Sequence, residues 1–184
     1  MSLRIDPLRV ADLPEIEEIE RQSFPTPWPR SAYARELENS FARYFVLRAF
    51  DGEGRPARIV GVAGLWVVAD EAHLMTIAVR PEERGRGYGE WLLLHAIETA
   101  IAAGAEMLTL EVRETNTIAQ RLYQKYGLQV EGRRKNYYAE IGEDALVMTV
   151  RGLTGIPYRQ QIAARRAALE ERIFAQPAVS GSQA

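Results

Sequence analysis

The chain has 184 residues, 47% of them apolar, with a formal net charge of −2 and no cysteine. That suffices for one domain with its own core and a small appendage. The near-neutral charge gives no global electrostatic case for nucleic acid or an anionic membrane as a direct partner. The missing cysteine removes disulfides, thiolate metal sites and any cysteine-linked covalent intermediate.

No run approaches the roughly 18 apolar residues of a membrane span, and the first twenty residues are too polar for a signal peptide, so a cytoplasmic protein is expected. Leu3 to Ile5 predicts a short strand ended by Asp6-Pro7. Asp12 is placed to cap a helix with Pro14 in its first turn and Leu13, Ile16 and Ile19 as its apolar stripe. Ser23 to Pro29 holds three prolines and two aromatics and predicts a loop. Its Phe24 and Trp28 serve either as a wall of a binding groove or as core plugs. A helix over Ser31 to Asn39 follows. Three apolar runs then come in succession, at Arg43 to Arg48, Ile59 to Val68 and Ala72 to Val79. Their short connections, with a D-G turn signal at Asp51-Gly52 and a tight turn at Asp70-Glu71, predict an antiparallel meander.

The third run, ending Ile77-Ala78-Val79, breaks at Pro81 into a loop carrying Arg84, Gly85, Arg86, Gly87, Tyr88 and Gly89. A helix begins near Gly87, with Leu92, Leu93, Ala96, Ile97 and Ala100 on its apolar side and Gly104 as its stop. A strand, a glycine-rich turn and a helix N-terminus together present bare backbone N–H groups to a phosphate. The spacing is neither the dinucleotide-binding nor the Walker pattern. A plain connecting turn is the alternative.

Met107 to Val112 predicts a strand parallel to the one before the helix, in a right-handed crossover. Thr115, Asn116 or Thr117 caps a helix running to about Tyr126, with Gly127 just past its end. Leu128 to Gly132 and Asp144 to Val150 predict a closing hairpin joined by some ten residues. The fold class is α+β, with a mixed, mainly antiparallel sheet. Residues 1–152 form the domain, 153–176 an amphipathic C-terminal helix and 177–184 a flexible tail. The helix either docks on its own domain or serves a partner, a second copy of the chain included.

Glu111 interrupts an apolar strand near its end, beside the glycine loop. A carboxylate among apolar neighbours there is expected to have a raised pKa and to suit a general base. An exposed partner for an arginine is the plain alternative. Ala119, Leu122, Tyr123 and Tyr126 share one helical face, so Tyr123 points inward, as a proton donor or as a packed core residue. Asn116 is an N-cap first and a ligand contact second. His73 and His95 stand isolated, with no metal-ligand spacing around them, so no metal is expected.

Taken together, Arg84-x-x-Gly87-x-Gly89 after Ile77-Ala78-Val79 and before Leu92-Leu93 resembles the acetyl-coenzyme A motif of the GNAT acetyltransferase superfamily. Leu110-Glu111-Val112-Arg113 with Asn116, Ala119 and Leu122-Tyr123, then Arg134-x-Asn136-Tyr137-Tyr138, is similar to one bacterial branch, the ribosomal-protein-alanine N-acetyltransferases. Phe24-Pro25-x-Pro27-Trp28 fits that branch too. The likeness spans about residues 3–150. Leu128 replaces the family's usual phenylalanine, and the tail beyond Leu153 has no counterpart in its short members.

The resemblance implies a splay between the two parallel strands and direct transfer of acetyl from acetyl-coenzyme A to an amine, with no metal. It implies Glu111 as proton acceptor and Tyr123 as proton donor. Ile77, Ala78, Val79, Arg84, Gly85, Arg86, Gly87, Tyr88, Gly89 and Asn116 would hold the donor, with Arg84 and Arg86 adding charge at the pyrophosphate. Phe24, Trp28, Glu71, Tyr137 and Tyr138 would face the acceptor, the N-terminus of a ribosomal or other protein. A small-amine or broader protein acetyltransferase, or a coenzyme A-binding sensor, are the competing readings.

Overall fold

The computed structural model describes residues 2–175. Seven strands make one sheet in the order β1-β2-β3-β4-β5-β7-β6. They are β1 (Ser2–Pro7), β2 (Ala42–Phe50), β3 (Pro56–Val68), β4 (Glu71–Val79), β5 (Met107–Arg113), β6 (Gln129–Tyr138) and β7 (Glu143–Arg151). The helices are α1 (Leu13–Ser23), α2 (Arg30–Glu38), α3 (Tyr88–Ala102), α4 (Thr117–Lys125) and α5 (Ile156–Ala175). β1 to β4 form the expected meander, extended by β1. Among the described residues only β4 and β5 run parallel, because α3 intervenes and carries the chain back across the sheet.

The β4–β5 pairing is short. It joins Glu71–Leu74 to Met107–Leu110 and then stops, although both strands continue. A register shift between β3 and β4 at Gly64/Leu65 leaves Met75 without a cross-strand partner. An extra residue of this kind bends its strand and adds twist, and it sits where β4 leaves β5. Gly64 belongs to the same feature, since a Cβ there would collide with the Tyr44 ring.

α3 is apolar nearly all round, with Trp91, Leu92, Leu93, Leu94, Ala96, Ile97 and Ala100 all buried. Such a helix needs cover on both sides. The sheet covers one, and α5 the other with Ile162, Leu169 and Ile173, while Phe174 meets Trp91 edge-on at 5.5 Å. Each buried Leu or Ile is worth about 1.5–3 kcal/mol. Tyr158 adds a hydrogen bond to the Tyr126 carbonyl, 2.9 Å. The apolar side of α5 is thus covered within the chain. On the opposite face of the sheet, α1 and α2 close a second cluster around Ile16, Ile19, Tyr33 and Val46.

Two local expectations need correction. Asp12 stands at the N-cap position of α1 but does not cap it. Its carboxylate accepts the Arg9 N–H at 3.0 Å and pairs with Arg48 at 2.9 Å. The closing hairpin has no ten-residue connection either, because β6 runs on through Arg133 to Tyr138 and only the residues between Tyr138 and Glu143 turn. The expected flexible tail, 177–184, lies outside the described residues.

Candidate active site

The splay opens a cleft of about 700 Å³ between β4 and β5. One wall is Leu74 to Val79 and the other Leu110 to Arg113, with Asn116, Ala119, Leu122 and Tyr123 behind. Arg84 and Gly89 line it as well, and so do Phe24, Trp28, Tyr137 and Tyr138.

Next to Gly89, the N-terminus of α3 is set by Gly87, which stands at the cap position in the left-handed region at φ 86°. It has no side chain with which to cap. The first helical bond runs from the Trp91 N–H to the Gly87 carbonyl, 2.9 Å. The N–H groups of the first turn are therefore left without helical acceptors, and no side chain caps them. That is the local chemistry a pyrophosphate needs. Asn116 does cap α4, accepting the Ala119 N–H at 3.2 Å, and lines the cleft as well.

The expected cationic contribution looks different. Arg84 gives its Nε–H to the Val79 carbonyl (3.1 Å) and an Nη–H to Ser23 (3.2 Å), tying the end of β4 to α1. Arg86 pairs with Glu83 at 3.0 Å. Gly85, Arg86, Gly87 and Tyr88 are not among the cleft walls. Glu71 sits in the zipped end of β4, level with Met107, and is outside the cleft too.

Glu111 lies in the cleft with its side chain 8% exposed. Its pKa is lowered, opposite to the raised value expected. A hydrogen bond with His73, 2.6 Å, outweighs the cost of burial, and Arg134 adds its charge at 3.0 Å on the other oxygen. The neighbours that decide this are polar groups brought in from β4 and β6, and His73 is not isolated. His95, by contrast, packs edge-on against Phe45 at 4.5 Å, and burial lowers its pKa.

Tyr123 is 6% exposed and opens onto the cleft. Burial pushes its phenol well above the ordinary value, so it stays protonated at neutral pH. Tyr137 and Tyr138 line the cleft beside a register shift in β6 between Arg134 and Tyr138, where Asn136 adopts φ 50° and gives its N–H to Asp144, 2.7 Å. Asn tolerates that region better than most residues.

Phe24 and Trp28 turn out to be wall and plug at once, lining the cleft and packing on the second core cluster. Glu20 was not visible from the sequence as a site residue. It is 1% exposed, and burial raises its pKa. It accepts from the Tyr33 hydroxyl (2.5 Å) and the Trp28 N–H (3.0 Å), fixing the aromatic loop at the cleft mouth. Its only sequence signal is a carboxylate on the stripe side of α1. Among the described residues no cluster of three metal-ligating side chains occurs, and no helix is long and apolar enough to cross a membrane.

A parallel-strand splay that leads to an uncapped helix N-terminus suits a donor that carries a phosphate group. The acetyltransferase (GNAT) family model matches residues 13–128, and the chain belongs to that family, an N-acetyltransferase by class. Its relatives narrow this further. A Bacillus subtilis protein, provisionally named a ribosomal protein bS18-alanine N-acetyltransferase, is 42% identical over 144 residues, 78% of this chain and 91% of that one. The Salmonella typhimurium ribosomal protein bS18-alanine N-acetyltransferase is 35% identical over 78% of this chain and 93% of its own. The crystal structure of the Escherichia coli ribosomal-protein-S18-alanine N-acetyltransferase superposes with a TM-score of 0.72 at 32% identity, covering 82% of this chain and 94% of that one.

Proposed function

We propose that this enzyme transfers acetyl from acetyl-coenzyme A to the α-amine of an N-terminal alanine, the acceptor being a small-subunit ribosomal protein of the S18 kind. The observation that carries it is the placing of Glu111 and Tyr123 on one cleft that ends at the uncapped N-terminus of α3. The names of the relatives support the acceptor.

Acetyl-coenzyme A supplies the acetyl group as a thioester. The first-turn N–H groups of α3 hold its pyrophosphate, and the unpaired edge of β4 from Met75 to Val79 offers backbone groups to its pantetheine arm. An α-amine has a pKa of about 7.7–8, so most of it arrives protonated at neutral pH. Glu111 accepts that proton, directly or through a water. Its lowered pKa makes it a weak base but keeps it ionised and ready. A lysine amine, at about 10.4, is far harder for such a base to deprotonate. This favours an α-amine acceptor. Tyr123, held neutral by burial, donates its hydroxyl proton to the departing sulfur. Phe24, Trp28, Tyr137 and Tyr138 form the aromatic mouth that admits the acceptor's first residues.

The test is an acetyl-transfer assay with mass detection on peptides beginning Ala, Ser, Met and Gly, with an internal-lysine control. Acetylation of the alanine α-amine above the others is expected. Preference for the lysine side chain or for a free polyamine would contradict the proposal.

A further inference from the structure

His73 stands beside Glu111 with no part in the proton transfers described for Glu111 and Tyr123. It lies on β4 in the zipped segment, level with Thr109 of β5, so its side chain shares a sheet face with Glu111 two residues further along. Its Nε2 is 2.6 Å from Glu111 Oε2, while Arg134 Nε is 3.0 Å from Oε1. Each carboxylate oxygen therefore has one partner from a different strand. His73 is not among the cleft walls, and the site residue it touches is Glu111. Its side chain is 34% exposed, which lets it exchange protons with solvent.

We propose that His73 is the positioning residue of Glu111: as a neutral imidazole it donates its Nε2–H and aims the carboxylate, and as an imidazolium it switches the carboxylate off as a base. The inference rests on the reading of Glu111 as proton acceptor. A carboxylate selects the tautomer with the proton on the nitrogen that faces it. In that state Glu111 has one full positive charge beside it, on Arg134. Protonation of the ring adds a second at hydrogen-bond distance, and a carboxylate between two cations holds an incoming proton poorly.

The other groups facing the pair do not offset this. On β3, Trp66 stands opposite His73 and gives its indole N–H to Glu36 of α2, 2.6 Å. On β7, Val147 stands opposite Glu111, and Thr149 shares a hydrogen bond with Thr109 at 3.1 Å. On β6, Tyr137 and Tyr138 are phenols whose pKa values burial raises. Arg113, further along β5, faces Glu143 at 3.7 Å. Turnover therefore falls wherever acid protonates the ring.

The test is kcat against pH, at saturating acetyl-coenzyme A and alanine-starting peptide, for the wild type, His73→Gln and Glu111→Gln. Glutamine places an amide N–H where Nε2–H was but takes no proton. The acid limb of His73→Gln should lie lower than that of the wild type by about one pH unit or more, the size of effect an adjacent charge has. Turnover at the alkaline end should be retained. Because the peptide is the same, its own amine cancels from the comparison. Superposable limbs for the two enzymes, with Glu111→Gln impaired, would overturn this inference alone. A Glu111→Gln enzyme as active as the wild type would overturn the proton-acceptor reading and this inference with it. A second measurement needs no variant in the assay. The ring of His73, one of two histidines in the chain, should titrate by NMR at the same pH as the kcat limb, and a mismatch would sink the proposal.

Discussion

Glu111 and Tyr123 face the same cleft but are tuned in opposite directions by their surroundings. Hydrogen bonding with His73 holds the carboxylate ionised against the cost of burial, and burial, with Tyr138 adding to it, holds the phenol neutral. Tyr123→Phe should lower kcat by roughly 10²–10⁴, the usual worth of a positioned acid, with the melting temperature nearly unchanged, since the ring and its packing remain. Steady-state kinetics and a thermal melt check both halves. At the cleft mouth, Glu20→Ala should cost about 1–3 kcal/mol by leaving the buried Tyr33 hydroxyl and the Trp28 N–H without an acceptor. Glu20→Gln keeps an acceptor and removes a buried charge, so chemical denaturation should find it near wild type. Glu111 and Tyr123 were legible because strand alternation and a helical face fix where they point. His73 was not legible, because its partner lies 38 residues away on a strand whose register depends on tertiary pairing.

α3 and its flanking segments decide how the donor end is built. Gly87 needs a left-handed backbone, and a Cβ there would come within 3.2 Å of Leu169 and Arg172 of α5. Gly89 has no such conflict, its nearest neighbour being Val79 at 3.8 Å. Gly87→Ala should therefore lower stability as well as donor affinity, whereas Gly89→Ala should leave the melt alone and raise the KM for acetyl-coenzyme A. Thermal melts set beside donor titrations separate the two. Leu169→Ala should cost about 2–5 kcal/mol as a buried truncation against α3, read by urea unfolding. The boundaries of these elements could be read from punctuation, with Pro81 before the loop, Gly104 after α3 and Gly127 after α4. The extension of β6 could not. Nearly every residue of that edge strand is exposed, so its sequence carries no period-2 signal. The bulge at Met75 was hidden for a related reason, since a mismatch in register belongs to two strands at once.

For the molecule as a whole, three partly buried carboxylates carry a shared pH dependence. Asp6 is lowered by its hydrogen bonds to Arg4 and Arg48. Glu90 is raised by burial, but hydrogen bonds from Lys125, Tyr126 and Arg172 outweigh that and hold it low, joining α3, α4 and α5. Glu111 is the third. In each the folded chain binds the proton more weakly than the unfolded chain does. Their stabilisation is complete above the ordinary carboxylate range and is lost as pH falls through the lowered values. Glu20 acts in the opposite sense, its raised pKa making the fold slightly less stable as pH rises through it. Urea midpoints should therefore fall steeply in acid, and a flat profile there would contradict the assignment of these contacts. Function depends on the same sheet, because its single parallel pair parts where the cleft begins. The most direct test of this account is mass-detected acetyl transfer to an alanine-starting S18 peptide by the wild type and Glu111→Gln. The account predicts α-amine acetylation by the wild type and a loss of roughly 10²–10⁴ in kcat for the variant, with donor binding intact. Equal turnover by the two enzymes, or acetyl found on a lysine side chain instead, would contradict it.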